Sequence, residues 1–324
     1  MRSNIKVIAG FVGAVVVVLT LLAMAPRPMP DRLATLRGDQ LRIAEIYNRL
    51  DHDQRAVDVA FIGSSHTNNG IDDKGVEDAL AREGMQVNVA NLAPYGIGRD
   101  MQLMLAKELF ATKQPKLVVL EVDDHESPNG HLYMPYVATA QDLVAPGIAW
   151  NLPQMFLLFL RQQLRGVADA ALPGAPPASD LPQVAYGFRP IDVTWSGSGG
   201  PPVSAADNIE RFFGHRARKL AERVMAPYGE TAVEQIIALA HAHGASVMLL
   251  YLPEWKFALD PDPDVIGRYA RWSPVFIIPR GVAQDKGNWW NAAHLNRVGA
   301  TRLTPSLSAA IFRAMTATSA NSSR

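Results

Sequence analysis

Three short apolar runs constrain this chain more than any other feature: Val57-Asp58-Val59-Ala60-Phe61-Ile62, Leu117-Val118-Val119-Leu120-Glu121-Val122 and Ser246-Val247-Met248-Leu249-Leu250-Tyr251. Each is nearly continuous rather than alternating, which is how a strand buried on both faces reads. Segments with helical spacing lie between and after them, at about 74–82, 99–111, 205–225, 231–243 and 295–315. Weaker strand patterns at about 86–90 and 274–278 complete the alternation. Strands alternating with helices predict an α/β fold of three layers, a parallel sheet flanked by helices on both faces.

The N-terminus predicts a membrane segment. Arg2 and Lys6 precede an uncharged run at 7–25, close to the ~20 residues a bilayer-spanning helix needs. Positive charge ahead of the span favours a cytoplasmic N-terminus and an exported remainder. Ala23 and Ala25 offer a cleavage site, but Pro26 follows at once and impairs it, so an uncleaved transmembrane helix at 1–25 is expected. Residues 26–56 follow as a linker or stalk helix, or as the first helix of the domain. The α/β domain is expected over 57–316, with a polar tail at 317–324. An irregular insertion at about 140–205 interrupts it, marked by a Pro- and Ala-rich stretch at 172–182 and by SGSGGPP at 196–202. Inside the insertion, Met155 to Leu160 is strongly apolar and Arg161 and Arg165 follow. That pattern fits a core helix or a helix touching a membrane or a partner.

Composition removes several functions. Basic and acidic residues balance at 31 each, which gives no electrostatic basis for a nucleic-acid partner. The absence of cysteine excludes disulfides, thiolate catalysis and Cys-ligated zinc. Asp123, Asp124, His125 and His131 read as hydrogen-bonded loop residues rather than metal ligands, and no metal or cofactor is expected.

Two segments carry chemistry. Gly63-Ser64-Ser65-His66 follows the first strand, at the carboxyl edge of the sheet where sites form in open α/β folds. Such a turn presents a serine hydroxyl beside the first N–H groups of the next helix. Late in the chain, His294 is expected to open the last helix, after a loop containing Trp289 and Trp290. Serine and histidine meet only if both lie on the same edge of the sheet.

In that order, Gly63-Ser64-Ser65, then Asn91-Leu92-Ala93 with Gly96, then His294-Leu295-Asn296 with Gly299, the chain resembles the SGNH/GDSL hydrolases, which share a flavodoxin-like layering. Within them it resembles membrane-anchored members linked to bacterial cell-surface polysaccharide O-acylation. The resemblance covers about 57–125 and 245–316 and leaves the insertion out. It implies a serine esterase or O-acyltransferase at the cytoplasmic membrane, with its domain outside the cytoplasm. Its partners would be a cell-envelope carbohydrate or acylated glycan and a multispanning membrane acyltransferase. A catalytically weak scaffold subunit of a polysaccharide assembly is the alternative.

Position by position, the resemblance makes Ser65 the nucleophile, with Ser64 in place of the family's aspartate. Gly96 is the backbone donor, with Gly98 close by, and His294 is the general base. Asn291 stands where an aspartate normally orients the histidine. Asp285 is the nearest carboxylate in the same loop to replace it. The family's third motif brings an asparagine as oxyanion donor, whereas this chain reads Glu121-Val122-Asp123-Asp124-His125. The oxyanion donors would then be the N–H groups of Ser65 and Gly96, or His125. Trp289 and Trp290 are candidates for stacking on a sugar. An amide at 291 can hold the imidazole, but it stabilises imidazolium poorly and permits the wrong tautomer.

Overall fold

A computed structural model describes residues 29–123, 126–145, 147–171, 184–195, 215–255 and 262–322, together with Gly10, Gly13, Ala14 and Val17. Most of the expected anchor at 1–25, His125 and the Pro- and Gly-rich stretches at 172–182 and 196–202 of the insertion therefore lie outside the described residues. Among the described residues, no helix is long and apolar enough to cross a membrane.

Five strands form one all-parallel sheet: β1 Val59–Ile62, β2 Val89–Asn91, β3 Leu117–Val122, β4 Ser246–Tyr251 and β5 Val275–Ile277. Their order across the sheet is β2-β1-β3-β4-β5. The chain first winds outward from β1 to β2, then returns to the other side of β1 and continues to β5. This reversal leaves a crevice beyond the carboxyl ends of β1 and β3, the switch point where ligands bind in doubly wound sheets.

The period of two along each strand divides the core. Ala60, Ile62, Val118, Leu120, Leu249 and Tyr251 face one side. Helices Leu41–Asp51, Arg99–Thr112 and His215–Ala242 cover them. Val59, Phe61, Leu117, Val119, Met248 and Leu250 face the other side. Helices Asp73–Arg82 and Arg297–Ser322 cover these, through Val76, Leu80, Leu303, Leu307 and Ile311.

Several expectations need adjusting. Residues 41–51 are the first helix of the domain rather than a stalk. Ile43, Ile46, Tyr47 and Leu50 recur at helical spacing and are buried in the main core. The two helices expected at 205–225 and 231–243 are one continuous helix, His215–Ala242, where described. The Pro227-Tyr228-Gly229 step does not break it. Gly229 lies so close to the Glu126 carboxylate that a Cβ would collide with it, and Glu126 is itself buried in a bidentate pair with Arg99. This close packing against Glu126 offsets the local helix-weakening cost of glycine. The last helix starts at Arg297, so His294 lies in the preceding loop rather than opening the helix.

Candidate active site

Strand β1 ends in a turn that is packed from below. Gly63 follows, then Ser64, then helix Ser65–Gly70. Ser64 caps that helix by accepting from the His66 N–H at 3.2 Å. Beneath the turn lies Glu121, near the end of β3 and 4 % exposed. Its carboxylate accepts from Ser64 N at 2.8 Å, Ser64 Oγ at 2.6 Å, Thr67 N at 3.1 Å and the Thr67 hydroxyl. A Cβ at Gly63 would overlap both the Thr67 hydroxyl and this carboxylate, so the close approach requires glycine. Gly63→Ala is expected to destabilise the fold by roughly 1–3 kcal/mol, as overpacking does, with a matching fall in melting temperature.

Burial pushes Glu121 toward neutrality. The neighbouring His66 and the hydrogen bonds from Ser64 and Thr67 outweigh it and hold the carboxyl below its ordinary value. Glu121 is therefore an ionised group within the site. In the sequence this position stands only as a departure from the third motif. The signal was present: a carboxylate inside a buried central strand needs donors, and period two places it on the same face as Phe61 and the turn after β1.

The histidine arrives from the loop before the last helix. His294 Nε2 lies 2.8 Å from Ser65 Oγ. Asn291 Oδ1 lies 3.0 Å from His294 Nδ1 and also accepts the main-chain N–H groups of Ala293 at 2.8 Å and His294 at 2.9 Å. Those two main-chain donors fix the amide with its oxygen toward the ring. An oxygen there can only accept, so Nδ1 carries the proton and Nε2 offers its lone pair to the serine hydroxyl. The tautomer is thus the one a general base needs.

Burial lowers His294 to about 3, with His66 pushing the same way and Glu121 opposing. The ring of His66 meets that of His294 edge-on at 5.0 Å. Its Nδ1 lies 3.8 Å from Glu121 Oε1.

A protein-family scan, a search of curated proteins and a search of solved structures each return no match for this chain.

The described end of the insertion ties the two halves together. Within 184–195, Gly187 N donates to Asp73, Arg189 N to the Asn68 carbonyl, and Trp195 N to the Trp289 carbonyl. Asn69 Nδ2 donates to the Arg189 carbonyl, and Arg297 N donates to the Ile191 carbonyl. This segment therefore joins the serine helix to the histidine loop.

Other expected site residues lie elsewhere or act differently. Asp285 does not replace the missing aspartate. It accepts from Gly287 N at 2.9 Å and pairs with Arg302 at 2.5 Å, and at 47 % side-chain exposure it is oriented by solvent and that arginine. Trp289 is not a sugar platform. It is buried edge-on against Trp255, and its indole N–H donates to the Ala283 carbonyl. Trp290 is open, its ring 5.7 Å from that of His294. Gly96 adopts the left-handed φ of 92° that favours glycine, and a Cβ there would sit 3.0 Å from His131 Nε2. His131 is buried and lowered to about 4, accepts from Tyr133 N and donates to the Tyr95 carbonyl. It braces the Gly96 loop as a neutral ring. Asn91 holds the start of that loop by donating to the Thr67 and Ile71 carbonyls.

Proposed function

We propose that this chain is an SGNH-type serine esterase or O-acyltransferase, anchored at a bacterial cytoplasmic membrane and acting outside it on acyl groups of a cell-envelope carbohydrate. One observation carries the reading: Ser65 Oγ and His294 Nε2 are 2.8 Å apart, with Nδ1 held by Asn291. A nucleophile bonded to a base that a third group orients is the minimal constellation for acyl transfer.

Ser65 Oγ attacks an acyl carbonyl while His294 Nε2 takes its proton. The tetrahedral oxyanion is met by the main-chain N–H groups of Ser65 and Gly96, as the resemblance assigns. The C–O bond to the leaving alcohol breaks, and that oxygen takes the proton from Nε2. Acyl-Ser65 remains. Water or a sugar hydroxyl then attacks it, giving its proton to His294 Nε2; the acyl–Oγ bond breaks and Ser65 Oγ takes that proton back, which restores both side chains. The Glu121 charge, fixed below the turn, favours the imidazolium formed in each half. Trp290, open and near His294, would stack on the sugar. Transfer to sugar rather than water requires the acceptor hydroxyl to be bound and water excluded. A multispanning acyltransferase is the partner that would supply acyl groups.

The amide at 291 favours a second reading, a catalytically weak scaffold or binding subunit of a polysaccharide assembly. Covalent labelling with a fluorophosphonate separates the two. The enzyme reading predicts labelling of the native protein and loss of the label in Ser65→Ala. An unlabelled native protein supports the scaffold.

A further inference from the structure

Helix Leu152–Ala171 carries two apolar stripes. Met155 and Phe159 are buried against the core. On the opposite side Leu157 and Leu164 are 67 and 41 % exposed, and Phe156, on the flank between the two, is 42 % exposed. Ile148 and Trp150, just ahead of the helix, are also open. Exposed Arg161 and Arg165 follow one edge of the outer stripe, and residues 143–168 contain no carboxylate. An apolar face with a cationic edge and a nearby tryptophan has the composition of a helix lying in a membrane interface.

Chain connection supplies an independent argument. The helix at Met29–Leu33 is docked on the domain, with Leu33 buried and the Arg32 guanidinium bonded to the Val137 carbonyl. It packs on helix Met134–Val137, which in turn packs on Leu152–Ala171. Only residues 26–28 separate Met29 from the apolar run at 7–25. The four residue steps from Ala25 to Met29 reach about 14 Å at most, so a bilayer spanned by that run lies near this flank of the domain.

We propose that the outer stripe of Leu152–Ala171, with Ile148 and Trp150, rests in the interfacial layer of a bilayer containing anionic phospholipid. The proposal depends on residues 7–25 spanning that bilayer and is separate from the Ser65 chemistry. Seating this stripe fixes the height and tilt of the domain above the membrane, so the crevice beyond β1 and β3 faces a set direction.

Because the chain has no cysteine, Leu157→Cys gives a single site for a nitroxide label on an exposed side chain. The test uses the full chain in vesicles of phosphatidylethanolamine and phosphatidylglycerol, with Lys74→Cys on the other helical layer as reference. Expected are vesicle flotation and an oxygen-to-nickel-complex accessibility ratio several-fold higher at residue 157 than at residue 74. Equal ratios place the stripe in water and overturn the proposal. A label shielded from both reagents places it against protein, whether residues 172–214 or a partner, and also overturns it. A chain that fails to float removes the membrane span, and the proposal with it, while leaving the phosphonate result unaffected.

Discussion

Asn291→Asp is expected to raise turnover of an activated acyl ester by about tenfold or more. In the serine-protease triad the reverse change costs about 10⁴, largely because the histidine adopts the wrong tautomer. Here the tautomer is already productive, since the amide oxygen is pinned by the Ala293 and His294 N–H groups. What the native site lacks at Nδ1 is charge. An aspartate in the same place would accept the same three hydrogen bonds and add an anion beside the developing imidazolium. At an effective dielectric of ~20, such a charge is worth on the order of 2–4 kcal/mol. The pH profile supplies a second readout. Burial holds His294 at about 3, so the native rate should stay flat through mildly acidic pH and fall only near that value. A carboxylate at 291 favours the protonated ring and raises its pKa, so the rising limb should move upward in pH. A scaffold would show neither change, and activity would stay at background.

Glu121→Gln is expected to act in the opposite direction, lowering turnover by about a hundredfold. Part of this loss is electrostatic: removing an ionised carboxylate one ring away from His294 forfeits on the order of 2 kcal/mol of imidazolium stabilisation. The rest is positional. Glutamine can accept from the Ser64 and Thr67 N–H groups with one oxygen, but its NH2 cannot accept from the second hydroxyl. A fall in melting temperature alone would report only the positional role. The electrostatic role predicts that the acidic limb shifts further down, because Glu121 is the group that opposes the lowering of His294. Of the groups near the pair, His66 pushes the other way, while the Arg99 guanidinium is taken up by Glu126, Gln102 and the Glu121 main-chain carbonyl. Adding Asn291→Asp to Glu121→Gln should recover part of the rate by restoring one negative charge. An unchanged limb and no recovery would reduce Glu121 to a structural brace.

The central strands were legible because both of their faces are buried. Leu117–Val122 and Ser246–Tyr251 are strands over the range their apolar runs mark. At 57–62 the strand itself starts at Val59, and Asp58 just before it bonds through its main chain to Asn88, Lys116 and Leu117 and through its carboxylate to Asn88 and Lys116. Residues 41–51 were ambiguous because an amphipathic pattern does not reveal what covers its apolar face. The serine and histidine were visible from their order along the chain and from the strand-to-loop position of Ser65. Asp285 and Trp289 were not separable from sequence alone, and for Glu121 the pattern marks a need for donors without saying which groups supply them. Each role depends on where a side chain points, and Arg302, Ala283 and Ser64 decide that only once the fold brings them near.

The central claim, that Ser65 is a nucleophile activated by His294, is tested most directly by trapping the covalent intermediate. The native protein, Ser65→Ala and His294→Ala are each mixed with an activated acyl ester, quenched in acid and mapped by peptide mass spectrometry. The account predicts an acyl group on the peptide bearing Ser65 in the native protein, none at that position in Ser65→Ala, and slow, sparse acylation in His294→Ala. An acyl group on another residue, or equal acylation of Ser65 with and without the imidazole, would contradict it.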